Sequence, residues 1–285
     1  MSSTIARTVV TNNGIIYNHC RVAASDQCEI MQSDIILVID CSMSMDNRAE
    51  GKGNAENSVF SLLDLVVQAC KVIVKSTDKR VAIINYSDDA NVVSNFTNDK
   101  NALMNKLDNI RSIGSTNIWS GLKMALDMTL DSGYCDILLF TDGEVNKGPT
   151  SYHENVAGYV RKNHIYNASL FTFGFGTGIG RAPLVRSSEA CRGRFTYISS
   201  PDMVGTKFIS FAAGLASRVD NIVIDLPSGC TCPGYEVIDD QINIGWLLEG
   251  STRDFVIVGE MPDADNNWKL MPSQPAPFVA TAVEA

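Results

Sequence analysis

Through the middle of the chain, apolar residues gather in short unbroken runs that close on a polar residue. Asp34-Ile-Ile-Leu-Val-Ile-Asp40 is the clearest, and it predicts a strand buried on both faces. Arg80 to Tyr86, Cys135 to Thr141 and Ala168 to Phe175 follow the same rule. Val92 to Phe96 reads as a shorter edge strand and Phe195 to Ile198 as another short one. Helical segments separate these runs. Val59 to Val74 is apolar almost all round, the texture of a buried helix. Asn98 to Ile110 carries Leu103, Leu107 and Ile110 at helical spacing. Ile118 to Leu130 has Ser115 or Thr116 available as an N-cap. Tyr152 to Asn163 and Met203 to Ala216 complete the series. Strands alternating with helices over residues 33–217 predict an α/β domain, a doubly wound and mostly parallel sheet flanked by helices. In such sheets, ligands collect beyond the carboxyl ends of the strands.

After Arg218 the period changes. Val219 to Leu226, Gln241 to Ile244 and Arg253 to Glu260 alternate apolar with polar between Gly and Pro turns, which predicts antiparallel strands. Thr8 to Ile16 has similar β character. Residues 1–32 and 218–285 are therefore expected to share one small β-rich accessory module, of β-sandwich type, because unpaired strand edges are a liability. Beyond Trp268, Pro272, Pro275 and Pro277 mark a loose tail. A length of 285 residues suits this division into a main domain and a smaller module.

Composition narrows the function. The chain is 45% hydrophobic and 19% charged, as ordinary globular proteins are. Its net charge of −9 and its lack of a long Lys/Arg run argue against nucleic acid and against anionic membrane surfaces. No stretch approaches the roughly 20 apolar residues that span a bilayer. Met1 to Gly14 lacks the apolar centre of a signal peptide. Of the eight cysteines, Cys70 and Cys135 lie in apolar stretches where a thiol packs as a small hydrophobe. A reduced, cytoplasmic protein is the expectation, with an extracellular home the alternative if a leader precedes this sequence. The N-x-S/T triplets at Asn85, Asn95 and Asn167 point toward that alternative, although Asn85 falls within a buried strand.

Three polar clusters stand where ligands should collect. Asp40-Cys41-Ser42-Met43-Ser44 follows the first buried strand, Gly114-Ser115-Thr116-Asn117 opens a helix, and Thr141-Asp142-Gly143-Glu144 follows another buried strand. Here the sequence resembles the von Willebrand factor A family. Asp40, Ser42 and Ser44 match its D-x-S-x-S motif, Thr116 its separate threonine, and Asp142 its T-D-G aspartate. The resemblance covers roughly residues 33–217 and implies a metal-ion-dependent adhesion site at these five positions. It also implies that a partner's carboxylate completes the metal's coordination.

The chemistry of the residues agrees. Three neutral hydroxyl oxygens and two carboxylates, with no His or thiolate, suit Mg²⁺, or Mn²⁺, ahead of Ca²⁺ and Zn²⁺. The expected function is thus metal-dependent binding of a protein that presents an Asp or Glu, in adhesion or in complex assembly, without catalysis. The alternative is a hydrolase using the same sheet crest. A haloacid-dehalogenase-type phosphohydrolase needs a carboxylic acid two positions after its first Asp, and Ser42 stands there. Gly174-Phe-Gly176-Thr-Gly178-Ile-Gly180 does not fit the dinucleotide pattern G-x-G-x-x-G. His19, His153 and His164 flank no nucleophile motif. Cys230-x-Cys232 with His19, Cys20 or Cys28 is a weak zinc candidate, behind buried thiols or a local disulfide. Cys41 reads as a spacer facing the core, Glu144 and Asp46 as solvated loop residues near the metal, and Trp119 as either core or contact rim.

Overall fold

The computed structural model describes residues 2–23, 33–48, 60–176, 179–198, 207–212, 214, 218–235, 237, 240–248, 252–260, 268–271 and 278–284. The chain opens on strands β1 (Ser2–Asn12) and β2 (Ile15–Ala23). There follow β3 (Asp34–Asp40), α1 (Leu62–Ser76), β4 (Val81–Tyr86), β5 (Ala90–Thr97) and α2 (Lys100–Asp108). Next come α3 (Ile118–Thr129), β6 (Cys135–Thr141), α4 (Tyr152–Lys162), β7 (Ala168–Phe175), α5 (Arg181–Ala190) and β8 (Arg194–Ile198). The C-terminal strands are β9 (Arg218–Asp225), β10 (Gln241–Leu248), β11 (Thr252–Val258), β12 (Trp268–Met271) and β13 (Phe278–Glu284). The chain divides into two compact units, one of residues 32–213 and one built from both termini, 1–31 and 214–285.

In the first unit the strands run in the order β5-β4-β3-β6-β7-β8, parallel throughout except for the antiparallel edge pair β4–β5. Helices flank the sheet, as the alternating pattern predicts. Residues 35–40 of β3 and all of β6 and β7 are buried, because helices or their loops cover both faces. One face meets α3, α4 and α5 through Ile118, Leu122, Val156 and Leu184. On the other, Phe140, Phe173 and Phe175 stack around Phe208, and Phe171 and Phe173 meet Phe211 edge-on. The expected helix Met203 to Ala216 is seen at 207–212 and 214; its remaining residues lie outside the described set. The polar loop before α1 lies outside it too.

Two glycines set spacings within this unit. A Cβ on Gly193 would sit 1.7 Å from the carbonyl oxygen of Leu170, so only glycine lets the turn before β8 approach β7. A Cβ on Gly121 would sit 2.6 Å from the Tyr86 ring, so glycine lets α3 rest directly on the end of β4. At the opposite end of the sheet, the buried Asp136 accepts a hydrogen bond from Ser33 Oγ at 2.7 Å. Lys79 Nζ donates to that same hydroxyl at 2.6 Å and lies 3.7 Å from Asp136.

The second unit is a single seven-stranded sheet in the order β10-β9-β12-β13-β1-β2-β11. The expected β-sandwich is not supported: β1 pairs with both β2 and β13, so the strands hydrogen-bond as one sheet from one end to the other. Cys20 and Val22 of β2, Ile242 and Ile244 of β10, and Phe255 and Ile257 of β11 nevertheless share one apolar cluster. Both ends of the sheet therefore contribute to the same core. The expected continuous β stretch Thr8 to Ile16 is instead broken at Asn13-Gly14. Both residues have positive φ, 48° and 76°, which suits a tight hairpin. The tail expected to be loose holds β12 and β13, since pairing with β9 and β1 satisfies their backbones. Pro272, Pro275 and Pro277 lie outside the described residues.

The seven cysteines among the described residues are buried, and Cys41, Cys70, Cys135, Cys191, Cys230 and Cys232 are free thiols. Cys20, Cys230 and Cys232 belong to the apolar cluster, and among the described residues no group of three or more His, Cys, Asp or Glu side chains is placed to hold a metal. Thus neither the local disulfide nor the zinc site forms there; Cys28 lies outside the described residues. No helix among them is long and apolar enough to cross a membrane.

Within the described residues, β11 has β2 as its one strand neighbour. Removing residues 1–23 is therefore expected to strip protease resistance from the segment after 218 while residues 33–213 stay protected. Limited proteolysis with mass mapping checks this, and unchanged resistance after 218 would count against the shared sheet.

Candidate metal centre

Strands β3, β4 and β6 end side by side, with Asp40 in register with Tyr86 and Ile39 with Phe140. Parallel pairing thus delivers Asp40, Tyr86 and Thr141 to one crest. Asp40 is fully buried. Its Oδ1 accepts a hydrogen bond from Ser42 N at 2.9 Å. Its Oδ2 accepts from Thr141 Oγ1 at 2.7 Å and from the Tyr86 hydroxyl at 3.1 Å. Its pKa is raised to about 6: burial pushes it up most, the donors from Thr141 and Ser42 hold it down in part, and the charge of Asp142 adds to the rise. A nearby dication would favour the ionised form.

Residues Met43–Asp46 form a 3-10 turn directly after this carboxylate. The turn brings Ser42 Oγ and Ser44 Oγ within 3.0 Å of each other. Cys41 is buried as a spacer, its thiol pushed up to about 12 by burial and by Asp40. Asp142 is 7% exposed, and its Oδ1 accepts from Glu144 N at 3.2 Å. Gly143 follows with φ +80°, the conformation that turns the chain away after the aspartate.

Thr116 sits on a loop tied to both neighbouring loops. Gly114 O accepts from Met43 N at 3.1 Å, and Ile113 N donates to Cys41 O at 2.6 Å. On the other side, Thr116 N donates to Asn146 Oδ1 at 2.7 Å, and Lys147 N donates to Thr116 O at 3.2 Å. Its backbone is thus satisfied. Its hydroxyl is not: Thr116 Oγ1 is buried and has no hydrogen-bond partner. Leaving such a group unmatched costs about 1–3 kcal/mol, a cost that a bound cation or water would relieve. A hard cation fits this donor set of three hydroxyls and two carboxylates.

The structure therefore bonds Asp40, Ser42 and Ser44 in series, sets Asp142 close enough to perturb Asp40, and hydrogen-bonds the Thr116 loop to the chain on either side. Glu144 and Asp46 are exposed. Trp119 packs against the core, edge-on to Tyr159 with ring centroids 5.9 Å apart. The N-cap of α3 is Asn117, whose side chain accepts from Ser120 N, and not Ser115 or Thr116. Ser115 is held instead by Asp88 Oδ1, which accepts from its backbone N–H at 3.0 Å.

Sequence reasoning missed the supports: Tyr86, Asp88, Asn146, and Thr141 as a donor to Asp40. Tyr86 and Thr141 were recoverable, because each closes a buried run that must pair in parallel with the run closed by Asp40. Asp88 and Asn146 act across loops, where no periodicity marks them. The glycine run that begins within β7 also finds a use here, through Gly174. Cβ atoms on Gly143 and Gly174 would lie 2.6 and 2.0 Å from Ile179, so the two glycines make room for that side chain behind the Asp142 turn. Thr177 and Gly178 lie outside the described residues.

Sheet order, crossovers and a polar crest define a Rossmann-like α/β domain whose loops gather hydroxyl and carboxylate side chains. Residues 35–144 match the family model of the von Willebrand factor type A domain. Among solved structures, the chain is similar to a von Willebrand factor type A protein from Catenulispora acidiphila, with TM-score 0.69 and 16% identity over 99% of this chain and 74% of that one. It is also similar to the ArnB paralog VWA2 from Sulfolobus acidocaldarius, with TM-score 0.63 and 16% identity over 100% and 77%. A third likeness is to the PilB minor pilin from Streptococcus sanguinis, with TM-score 0.52 and 14% identity over 74% and 77%. A search of curated protein sequences finds no match. The α/β unit thus has the von Willebrand factor type A fold.

Thr141→Val removes one of three donors to a buried carboxylate while keeping side-chain shape. In metal-free buffer it is expected to lower the unfolding free energy by about 1–3 kcal/mol, measured by urea denaturation. Unchanged stability would mean that Thr141 does not support Asp40.

Proposed function

We propose that the crest binds one divalent cation, Mg²⁺ with Mn²⁺ as substitute, and that the cation captures an Asp or Glu side chain of a protein partner. Asp40, Ser42, Ser44, Thr116 and Asp142 would hold it, directly or through water. The observation that carries this reading is the buried, unpartnered Thr116 hydroxyl on a loop bonded to the Ser42–Ser44 segment. Two carboxylates balance a dication without surplus negative charge, so the metal stays electrophilic toward a third, incoming carboxylate. Exchange of a metal-bound water for that carboxylate supplies affinity and fixes orientation.

The module acts by binding, in complex assembly or adhesion, rather than by turnover. Ser42 stands where a haloacid-dehalogenase-type acid would be, two residues after Asp40. The likeness to a minor pilin and to an ArnB paralog supports an interaction role. The buried thiols of Cys41, Cys70, Cys135 and Cys191 support a reducing compartment, the cytoplasm, with an extracellular home the alternative if a leader precedes this sequence.

Mg²⁺ that binds only the folded state raises its melting temperature. Wild-type protein is expected to gain stability with Mg²⁺ and lose it in EDTA. Asp40→Asn should abolish the gain, and Thr116→Ala should reduce it, having lost one neutral oxygen. An equal Mg²⁺ response in wild type and Asp40→Asn would refute this centre.

A further inference from the structure

The loop that carries Thr116 is pinned along its length. Ile113 N and Gly114 O bond to the Asp40–Ser44 loop, and Thr116 N bonds to Asn146. The remaining anchors come from the turn between β4 and β5. Ser115 N donates to Asp88 Oδ1 at 3.0 Å. Asn117 N donates to Ser87 O at 2.8 Å, and its side-chain amide donates to Asp88 O at 3.1 Å. The residues on both sides of Thr116 are thus tied to residues 87 and 88. Just before them, Gly114 turns the chain at φ +76°, and a Cβ there would lie 3.3 Å from Asp88 Cγ. The Asp88 carboxylate therefore rests directly against the turn that leads into Thr116.

Core packing does not account for this bracing. The Asp88 side chain is 48% exposed, and its Oδ2 lies 3.6 Å from Lys147 Nζ. Exposed ion pairs of that kind contribute little to folding. What Asp88 does fix is the backbone of Ser115, and with it the place of the Thr116 hydroxyl. A neutral hydroxyl serves a cation well only when its oxygen is already held at the coordination position. We infer that Asp88 is a positioning residue for the cation, acting on the Thr116 hydroxyl through Ser115 and binding no metal itself. This inference rests on the metal-binding reading above. It adds a determinant of affinity outside the five ligand positions. Lys147 offsets the charge of Asp88, so the influence runs through the hydrogen bond to Ser115 rather than through a field at the metal.

The test uses the full chain and Mn²⁺ alone, with free Mn²⁺ read by electron paramagnetic resonance and Mg²⁺ measured by competition. Asp88→Ala is expected to weaken binding roughly 10–100-fold. In a Thr116→Ala background the same change should cost less than about threefold, because the hydroxyl it positions is gone. Asp88→Asn keeps an acceptor for Ser115 N and drops the charge, so it should bind nearly as wild type does. The exposed side chain leaves no cavity, and melting in EDTA should show Asp88→Ala folded. Were it not, Asp88→Glu, which keeps the charge and displaces the acceptor, runs through the same cycle with the same expectation. Unchanged affinity in Asp88→Ala would overturn the positioning role. So would an equal loss with and without the Thr116 hydroxyl, or an equal loss in Asp88→Asn and Asp88→Ala. Each of these leaves the metal reading standing. Absence of Mn²⁺ binding by the wild type would overturn the metal reading itself, and this inference with it.

Discussion

A carboxylate buried at the end of a strand must be surrounded by donors, and much of this domain's crest follows from that need. Asp40 has no access to water, so the chain supplies Ser42 N, Thr141 Oγ1 and the Tyr86 hydroxyl in its place. Each donor imposes a further condition. Tyr86 reaches Asp40 from β4 while α3 rests on its ring, and that contact requires glycine at 121. Thr141 holds Asp40 with its proton while accepting from Gly143 N at 2.9 Å, so one hydroxyl fixes both the carboxylate and the next turn. The bond from Ser42 N to Asp40 folds the loop back and places the serine hydroxyls together.

Much of this architecture is written in hydrophobic periodicity. Runs such as Ile35 to Ile39 and Ile137 to Phe140 leave little choice, since uninterrupted apolar strand positions bury only between two layers. Helix α5 escaped because Arg-Ala-Pro-Leu-Val-Arg-Ser-Ser-Glu-Ala has a weak apolar stripe; Leu184 carries its apolar burial beside Ser187 and Ser188. Pro183 in its first turn reads as a breaker, yet a proline there removes no helical hydrogen bond. Asn117 was passed over as a cap because two other capping residue types precede it. Strands β12 and β13 were illegible for a different reason. Their partners lie far away in sequence, and local composition carries no trace of them.

The candidate centre divides the same way. Its five ligand positions stand at the ends of legible elements, so the residue types could be read off directly. The orphaned Thr116 hydroxyl could not, because lack of a partner is a property of three loops at once.

The shared terminal sheet has a consequence in time. Strand β2 pairs with β11 and β1 with β13, so partners lie more than two hundred positions apart in the chain. During synthesis at about 5–20 residues per second, the first hairpin waits on the order of tens of seconds for its neighbours. Meanwhile the α/β domain, whose strand pairs close over shorter separations, has all its residues and is free to fold. The β1–β2 hairpin, made before the α/β domain, is thus settled after it, and through that interval its open edges are exposed to other chains or to chaperones.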